Sequence, residues 1–335
     1  MRFLKILRQM EIEKEQAYAS VLMYMALGPT RTKQVYQDEN YQRNEAVDKD
    51  NTMIALLVVW SILIILFNVI LLVLIPCYWK LRASVKHMLM FSAAIADLVM
   101  GLVVCPLIAD LGVNRKFLHG CSTQMSLQAL STIIVPSVTT WAVLLININY
   151  ILRITSYYYC DLSQKIGMAI SIAVTPWVLT VVILVPQLVA GVDERKCTLY
   201  FPSETARKAV IVTSFVPQCI GIFITFLVAF VMYLIRRDEL VLDAAGERLQ
   251  APSDICLVSF LTLSMYLPKE LLLLNQGFTQ CTSEVECDAL HWIRILGTWE
   301  LLGKSFFVPL AWTFCHQLRE AVRSLWEQAT WNQKF

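Results

Sequence analysis

Charged residues are scarce in this chain of 335 residues: Asp, Glu, Lys and Arg together make up 16%, whereas hydrophobic residues make up 57%. Soluble proteins average about 25% charged and about 45–50% apolar residues. The charges are concentrated in residues 1–51, which hold eight Lys or Arg and eight Asp or Glu. The net charge of +2 and the lack of a basic stripe argue against nucleic-acid binding. This composition predicts an integral membrane protein.

The beginning of the chain lacks the pattern of a secretory signal peptide. Met1–Met10 has only scattered apolar residues, and the charged run Glu11–Glu15 follows directly. No Asn-x-Ser/Thr glycosylation site occurs in the sequence. We expect residues 1–51 to form a disordered tail.

Elements of enzymatic chemistry are also missing. The four histidines are far apart and give no metal-ligand spacing, and no glycine-rich phosphate loop is present. We therefore expect no catalytic activity, no metal and no cofactor.

What the sequence does contain is a series of long apolar runs, each close to the roughly 20 residues that a helix needs to cross the hydrocarbon core. The last two of these runs contain charged residues, so hydropathy alone defines them less sharply than the first five. Seven runs are expected to span the membrane: Thr52–Trp79, His87–Ala109, Cys121–Leu152, Ile166–Val192, Ala209–Ile235, Ile255–Phe278 and Ala289–Cys315.

The distribution of positive charge favours an extracellular N-terminus. In that orientation the inner loops and tail hold eleven Lys or Arg and the outer loops hold seven, and positive residues prefer the cytoplasmic side. We expect a multi-pass protein of the plasma membrane, in contact with the lipid bilayer. Its regions would be an extracellular tail (1–51), a membrane domain (52–315) and a cytoplasmic end (316–335).

Four of the ten cysteines fall at the predicted outer face, which is the oxidising side of the membrane. They are Cys121, Cys197, Cys281 and Cys287. We predict the pairs Cys121–Cys197 and Cys281–Cys287, with free thiols as the alternative for each.

Six spans each carry a residue of a known pattern, in the expected order. These residues are Asn68 in LFNVILLVLI, Asp97 in SAAIADLVMGLVVCPL, Trp177 in TPWVLTVVILVPQL, Pro217 in SFVPQ, Pro268 in MYLP and Pro309 in FFVPLAW. Over roughly Thr52–Glu327 the chain resembles the rhodopsin-like (class A) G-protein-coupled receptors. The resemblance implies an all-α membrane protein, a seven-transmembrane helix bundle of rhodopsin-like type with a short amphipathic eighth helix.

The activation motifs of that family are replaced. Where the family has Asp-Arg-Tyr, the sequence reads LLININYILRIT, so Asn149 and Tyr150 replace the Asp and Arg. A one-residue shift, with Tyr150 at the motif's tyrosine, is the alternative. The family's Cys-Trp-x-Pro becomes Met265–Pro268, and its Asn-Pro-x-x-Tyr becomes Val308–Trp312. The resemblance implies that Asn149, Tyr150 and Arg153 face the G protein.

A polar pocket that binds sodium in the family is expected around Asp97. The resemblance places Thr139, Lys304 and Ser305 at its wall, and Glu300 lies on the same helix face as Lys304, four residues earlier. Our hypothesis is that the Lys304 ammonium takes the place of sodium and pairs with Asp97, with Glu300 contributing. The alternative is that Lys304 pairs only with Glu300, while Asp97 is hydrated or protonated.

The outer ends of spans six and seven are expected to form the ligand cavity, because intramembrane charges are costly and usually functional. Alternatively, Lys269 and Glu270 pair with outside partners or extend to the interface. Span three has Ser131 or Thr132 where amine receptors have an acid, which argues against the usual amine site. The predicted ligand-binding residues, suited to a polar small molecule or peptide, are Thr132, Tyr266, Lys269, Glu270, Arg294 and Thr298.

The segment His316–Trp326 has apolar residues at helical spacing on one side and Arg319, Glu320 and Arg323 on the other. This pattern predicts a short helix that lies along the inner leaflet. It corresponds to the eighth helix of the family.

Three functions fit these features. The first is a receptor that binds an extracellular ligand, with heterotrimeric G proteins as its partners. The second is a receptor fold without coupling that acts as a decoy, a scaffold or a dimer partner. The third is a small transporter with Asp97, Lys304 and Glu300 as a charge relay, although transporters commonly contain internal repeats and none is evident here.

Overall fold

The computed structural model describes residues 43–113, 126–127, 129–155, 162–190, 192–193, 198–199, 204–237, 252–278 and 284–332. These ranges are helical apart from short turns and two antiparallel two-residue strands, β1 Val192–Asp193 and β2 Thr198–Leu199. The α-helices are α1 Arg43–Cys77, α2 Trp79–Arg82, α3 Val85–Val99, α4 Cys105–Val113, α5 Val135–Thr155, α6 Leu162–Ala190, α7 Glu204–Arg237, α8 Ser253–Phe278, α9 Glu284–Trp312 and α10 His316–Asn332.

Five helical stretches are long and apolar enough to cross a membrane, by length and composition. They are Ile54–Cys77, Val85–Ala109, Val135–Arg153, Gln164–Val185 and Phe215–Ile235. All five fall on the first five predicted spans. The prediction of a helical chain is therefore confirmed, and these five helices are compatible with a membrane-embedded protein. The sixth and seventh predicted spans lie on α8 and α9, of 26 and 29 residues. Charged residues interrupt their apolar stretches, and the membrane crossing of these two helices stays a prediction.

The first and last helices are longer than the apolar pattern predicts. Helix α1 begins at Arg43, inside the predicted tail, and residues 1–42 lie outside the described ranges. Helix α10 continues to Asn332, beyond the predicted end at Trp326. Neither extension contains a proline or glycine that would end the helix. The helices thus continue through polar residues beyond the apolar pattern.

The structure contains two π-helical turns, and each ends two residues before a proline. Met100–Val104 precedes Pro106, and Leu130–Ile134 precedes Pro136. In a π turn the amide of residue i bonds to the carbonyl of residue i−5. Pro106 has no amide hydrogen, so the carbonyl of Gly101 lacks that donor. Ser61 of α1 supplies the missing bond, since its hydroxyl donates to the Gly101 oxygen at 2.7 Å. The turn is thus stabilised by a neighbouring helix.

Single hydrogen bonds from polar side chains connect further pairs of helices. The Trp177 indole of α6 donates to the Ser92 hydroxyl of α3 at 3.0 Å. The Gln218 amide of α7 donates to the Leu263 carbonyl of α8 at 2.6 Å. Such interhelical bonds contribute to helix association where water is excluded. The packing of these helices is therefore reinforced by specific polar contacts.

Among the described residues the interior contains two large apolar clusters and a small one around Ile133 and Leu184. One large cluster includes Leu89, Ile146 and Trp312 and extends towards α10. The other large cluster includes Ile64 and Leu302 and surrounds the π turns. Buried polar residues that bond to one another, among them Asp97, Lys304 and Ser305, form the candidate site.

Candidate functional site

A buried ion pair lies at the centre of the helices. The Lys304 ammonium donates to Oδ1 of Asp97, and each side chain is only 1% exposed. The hydroxyl of Ser305 donates to the same oxygen at 2.9 Å. An isolated charge in such an environment would be very unfavourable. The pairing therefore satisfies a carboxylate and an ammonium that the surrounding helices enclose almost completely.

The backbone of the helices positions these groups. Asp97 lies near the end of α3, directly before its π turn, and Lys304 and Ser305 are consecutive residues of α9. The Asn68 amide of α1 donates to the Ser305 carbonyl at 3.0 Å and to the Ile64 carbonyl at 2.8 Å. Asn68 thus connects α1 to the segment of α9 that carries the ammonium.

Tyr266 and Thr139 extend the group to two further helices. Their hydroxyls are 2.6 Å apart and hydrogen-bonded. The Lys304 nitrogen lies 5.3 Å from the centroid of the Tyr266 ring, which is within the range of a cation–π interaction. Together with Asp97 and Asn68, these side chains form a central polar network that joins α1, α3, α5, α8 and α9.

A small cavity of about 10 Å³ borders this network. It is lined by Asp97, Thr139, Thr262 and Lys304 and by apolar residues such as Met90. The Thr262 hydroxyl is buried and has no hydrogen-bond partner among the described residues. The volume is enough for about one water molecule and far below the roughly 300–1,000 Å³ of typical ligand pockets. The network is therefore a structural and electrostatic centre, with space for a single water beside it.

Glu300 does not join the network, in contrast to the expectation that it would contribute. Lys304 bonds to Asp97, and one buried oxygen of Glu300 has no hydrogen-bond partner among the described residues. Asp97 is fully enclosed, whereas Glu300 is only partly buried. Because the more deeply buried acid gains more from a nearby ammonium, Lys304 extends to Asp97. The alternative in which Lys304 pairs only with Glu300 does not match this geometry.

Tyr266 also differs from its predicted role. It was expected to line an open ligand cavity, but it is 1% exposed and bonded within the central network. A tyrosine that is buried needs a partner for its hydroxyl, and Thr139 provides it. The side chains of the other predicted ligand residues lie outside the described part of the structure: Thr132, Lys269, Glu270, Arg294 and Thr298.

The predicted G-protein-facing residues lie on one helix end. Asn149, Tyr150 and Arg153 are all on α5, where Tyr150 is buried, Asn149 is partly buried and Arg153 is exposed. For the predicted disulfides, Cys121, Cys197 and Cys281 lie outside the described residues, as does the side chain of Cys287. Both disulfides stay predictions.

Several polar contacts were not anticipated from the sequence. The Asn147 amide of α5 donates to the Ser259 hydroxyl of α8 at 2.7 Å. Lys86 of α3 forms an ion pair with Asp254 of α8 at 2.8 Å. The Lys86–Asp254 ion pair could have been predicted from the sequence, since the two residues carry opposite charges and each adjoins an apolar run at the same predicted membrane face. The Asn147–Ser259 hydrogen bond has no such pattern in the sequence, because small polar residues are common in buried helices.

Comparison of the chain with models of known protein families gives no match, and comparison with curated proteins gives none either.

Proposed function

We propose that the chain is a rhodopsin-like receptor of the plasma membrane, with seven membrane-spanning helices, that binds an extracellular ligand and signals through heterotrimeric G proteins. The observation that carries this proposal is the central polar network. Asn68, Asp97 and Ser305, which the family pattern places together on spans one, two and seven, are linked by hydrogen bonds. Asn68 and Asp97 are each more than 200 residues from Ser305 in the sequence, so their hydrogen bonds to Ser305 are evidence that the three helices pack as the family pattern predicts.

Within this proposal, Lys304 supplies a fixed cation at the centre of the receptor. Its ammonium already neutralises Asp97, and the adjoining cavity of about 10 Å³ has room for a water molecule only. A diffusible sodium ion would meet a carboxylate that is already paired. Ligand binding and signalling should therefore be the same in sodium and in another monovalent cation at constant ionic strength.

A receptor that does not couple is the second candidate, and Tyr150 favours it. This residue stands where the family has an arginine, and it is buried and uncharged on α5. A buried phenol cannot present the charge that the family arginine offers to a G protein. A decoy or scaffold receptor would keep the helical frame and lose the coupling contact.

Co-expression with a panel of G-protein dissociation sensors separates the two candidates. The native chain is compared with Tyr150→Arg, and Tyr150→Phe serves as the matched control that keeps the ring without adding charge. Basal or ligand-evoked sensor activity in the native chain supports the signalling receptor. Silence of the native chain, with activity only in Tyr150→Arg, would favour the decoy. Surface expression of each variant is measured in the same cells, so that lost expression is not scored as lost coupling.

A further inference from the structure

An amine, a thiol and a carboxylate meet where α3 and α8 begin. The Lys86 ammonium donates to Oδ2 of Asp254 at 2.8 Å and to Sγ of Cys315 at 3.5 Å. Lys86 is in the first turn of α3, Asp254 is in the first turn of α8, and Cys315 lies in the connection between α9 and α10. We call these three residues the thiol–amine cluster. The Nζ and Sγ atoms are in direct contact, although 229 residues separate Lys86 from Cys315 in the sequence.

The thiol of this cluster is buried, but its charged neighbours are partly exposed. Cys315 is 2% exposed, whereas the Lys86 and Asp254 side chains are 16% and 19% exposed. The protein therefore keeps bulky reagents from the sulfur, while a molecule as small as hydrogen peroxide can approach it along the charged side chains. An ammonium beside a cysteine also favours the thiolate, which is the form that reacts with an oxidant.

The contact between nitrogen and sulfur favours one product of thiol oxidation. A cysteine sulfenic acid condenses with a thiol to give a disulfide, or with a nitrogen to give a sulfenamide. In the thiol–amine cluster the sulfur touches the nitrogen of Lys86, and a neutral lysine amine is a good nucleophile. Well-oriented groups in one molecule react as if their concentration were about 10⁵ M or more. The amine should therefore capture the sulfenic acid before an outside thiol or a second oxidant reaches it.

We propose that Cys315 and Lys86 are a modification site at which hydrogen peroxide forms a sulfenamide cross-link between α3 and the connection that follows α9. In the first step Sγ attacks the peroxide. An S–O bond forms, the O–O bond breaks, and the second oxygen leaves as water with the thiol proton.

The second step joins nitrogen to sulfur. The ammonium of Lys86 gives one proton to Asp254, its hydrogen-bond acceptor, and Asp254 passes this proton to water. Nζ then attacks Sγ, so that the S–N bond forms as the S–O bond breaks, and the departing hydroxide takes a second proton from Nζ and leaves as water. Sulfur is oxidised and peroxide is reduced to water. The reaction needs only the contacts of the thiol–amine cluster, so it can be tested whether or not the chain is a receptor.

Peptide mapping of the full-length protein in lipid nanodiscs tests the cross-link. The protein is treated with hydrogen peroxide in the presence of dimedone, which traps sulfenic acids, and is then digested with trypsin and measured by mass spectrometry. We expect a peptide pair that joins Lys86 to Cys315 and lacks the mass of two hydrogen atoms, and we expect trypsin no longer to cleave after Lys86. Dithiothreitol, which is oxidised to its cyclic disulfide, should restore the thiol and the amine and abolish both signals.

Two lysine variants make the result specific. Lys86→Arg keeps a cation beside the sulfur but has no nucleophilic amine. The cross-link should be absent from this variant, and the dimedone adduct at Cys315 should rise at least about tenfold, because the competing intramolecular reaction is lost. Lys80→Arg changes an exposed lysine outside the cluster and should leave the yield of the cross-link unchanged.

The native chain alone decides the outcome. The proposal is overturned if its Cys315 remains a thiol, carries a dimedone adduct in place of the cross-link, or pairs with another cysteine. Cys105 is buried in the apolar cluster around the π turns and should stay a thiol. Oxidation of Cys105 to the same extent as Cys315 would also overturn the proposal, since the reactivity would then not come from the thiol–amine cluster.

Discussion

Removing one partner of the buried ion pair should destabilise the protein far more than removing both. Asp97 and Lys304 are each 1% exposed, and the cavity beside them has room for only about one water molecule. The remaining charge could therefore not regain a full hydration shell without opening the helices. Loss of one partner of a buried pair costs about 3–5 kcal/mol, whereas replacing both with uncharged groups is often neutral or stabilising. The two single variants and the double variant therefore form a direct test of the central network.

The substitutions can be chosen to change charge with little change of shape. Lys304→Met keeps an unbranched side chain, and Asp97→Asn keeps an oxygen that can accept the Ser305 hydroxyl. Each single variant should lose about 3–5 kcal/mol, and the double variant should lie within about 1 kcal/mol of the native chain. Lys80→Met is the matched control, because Lys80 is exposed and should change stability by less than about 0.5 kcal/mol.

Thermal unfolding of the purified protein in nanodiscs provides the measurement. The shift of Tm per kcal/mol falls as chain length rises, and for this chain of 335 residues a change of 1 kcal/mol shifts Tm by about 1.4 °C. Each single variant should therefore lower Tm by about 4–7 °C. Two single effects that simply add in the double variant would contradict an ion pair. Native protein that is more stable in sodium chloride than in choline chloride would contradict the idea that Lys304 fills the cation position.

Two further comparisons test packing and hydrogen bonding, each with its own internal control. A Cβ atom at Gly101 would lie 3.0 Å from side-chain atoms of Ile64 and Ile65, whereas one at Gly167 meets nothing within 4 Å. Gly101→Ala should therefore cost about 1–3 kcal/mol by overpacking, while Gly167→Ala should stabilise its helix by about 0.5–1 kcal/mol; equal effects in chemical denaturation would refute the close approach of α1. Ser259→Ala removes the acceptor of Asn147 and should cost about 1–3 kcal/mol. Thr262→Val should be nearly neutral, because the Thr262 hydroxyl has no partner among the described residues; a larger loss in Thr262→Val than in Ser259→Ala would show that a water-mediated bond dominates there.

The helices were predictable where one physical requirement dominated the sequence. A chain that crosses lipid must hide its backbone polar groups in helices, so an uncharged run such as Thr52–Trp79 allows only one interpretation. Helices α8 and α9 were harder to assign, because charged residues lower the hydropathy of a segment even where the charge is buried against a partner on another helix, as Lys304 is. Hydropathy sums over a window and cannot tell whether a charge meets lipid or a partner on another helix.

The pairing of Asp97 with Lys304 could be anticipated only with the help of the family pattern. Two acids were available to Lys304 on spacing alone, since Glu300 lies one turn away on the same helix. The structure brings Asp97 into contact because α3 and α9 pack at that level. Burial differs between the two acids, and burial is a property of the tertiary structure that sequence spacing does not encode.

The ion pair between Lys86 and Asp254 lies outside the motifs of the family pattern. The family motif drew attention only to Asn149, Tyr150 and Arg153 on α5, whereas Lys86 and Asp254 form an ion pair between α3 and α8. Both charges adjoin apolar runs, where a side chain can be held by the helix and still reach another helix at the membrane surface. Opposite charges at the same-side ends of different spans are therefore a better guide to such contacts than a fixed motif.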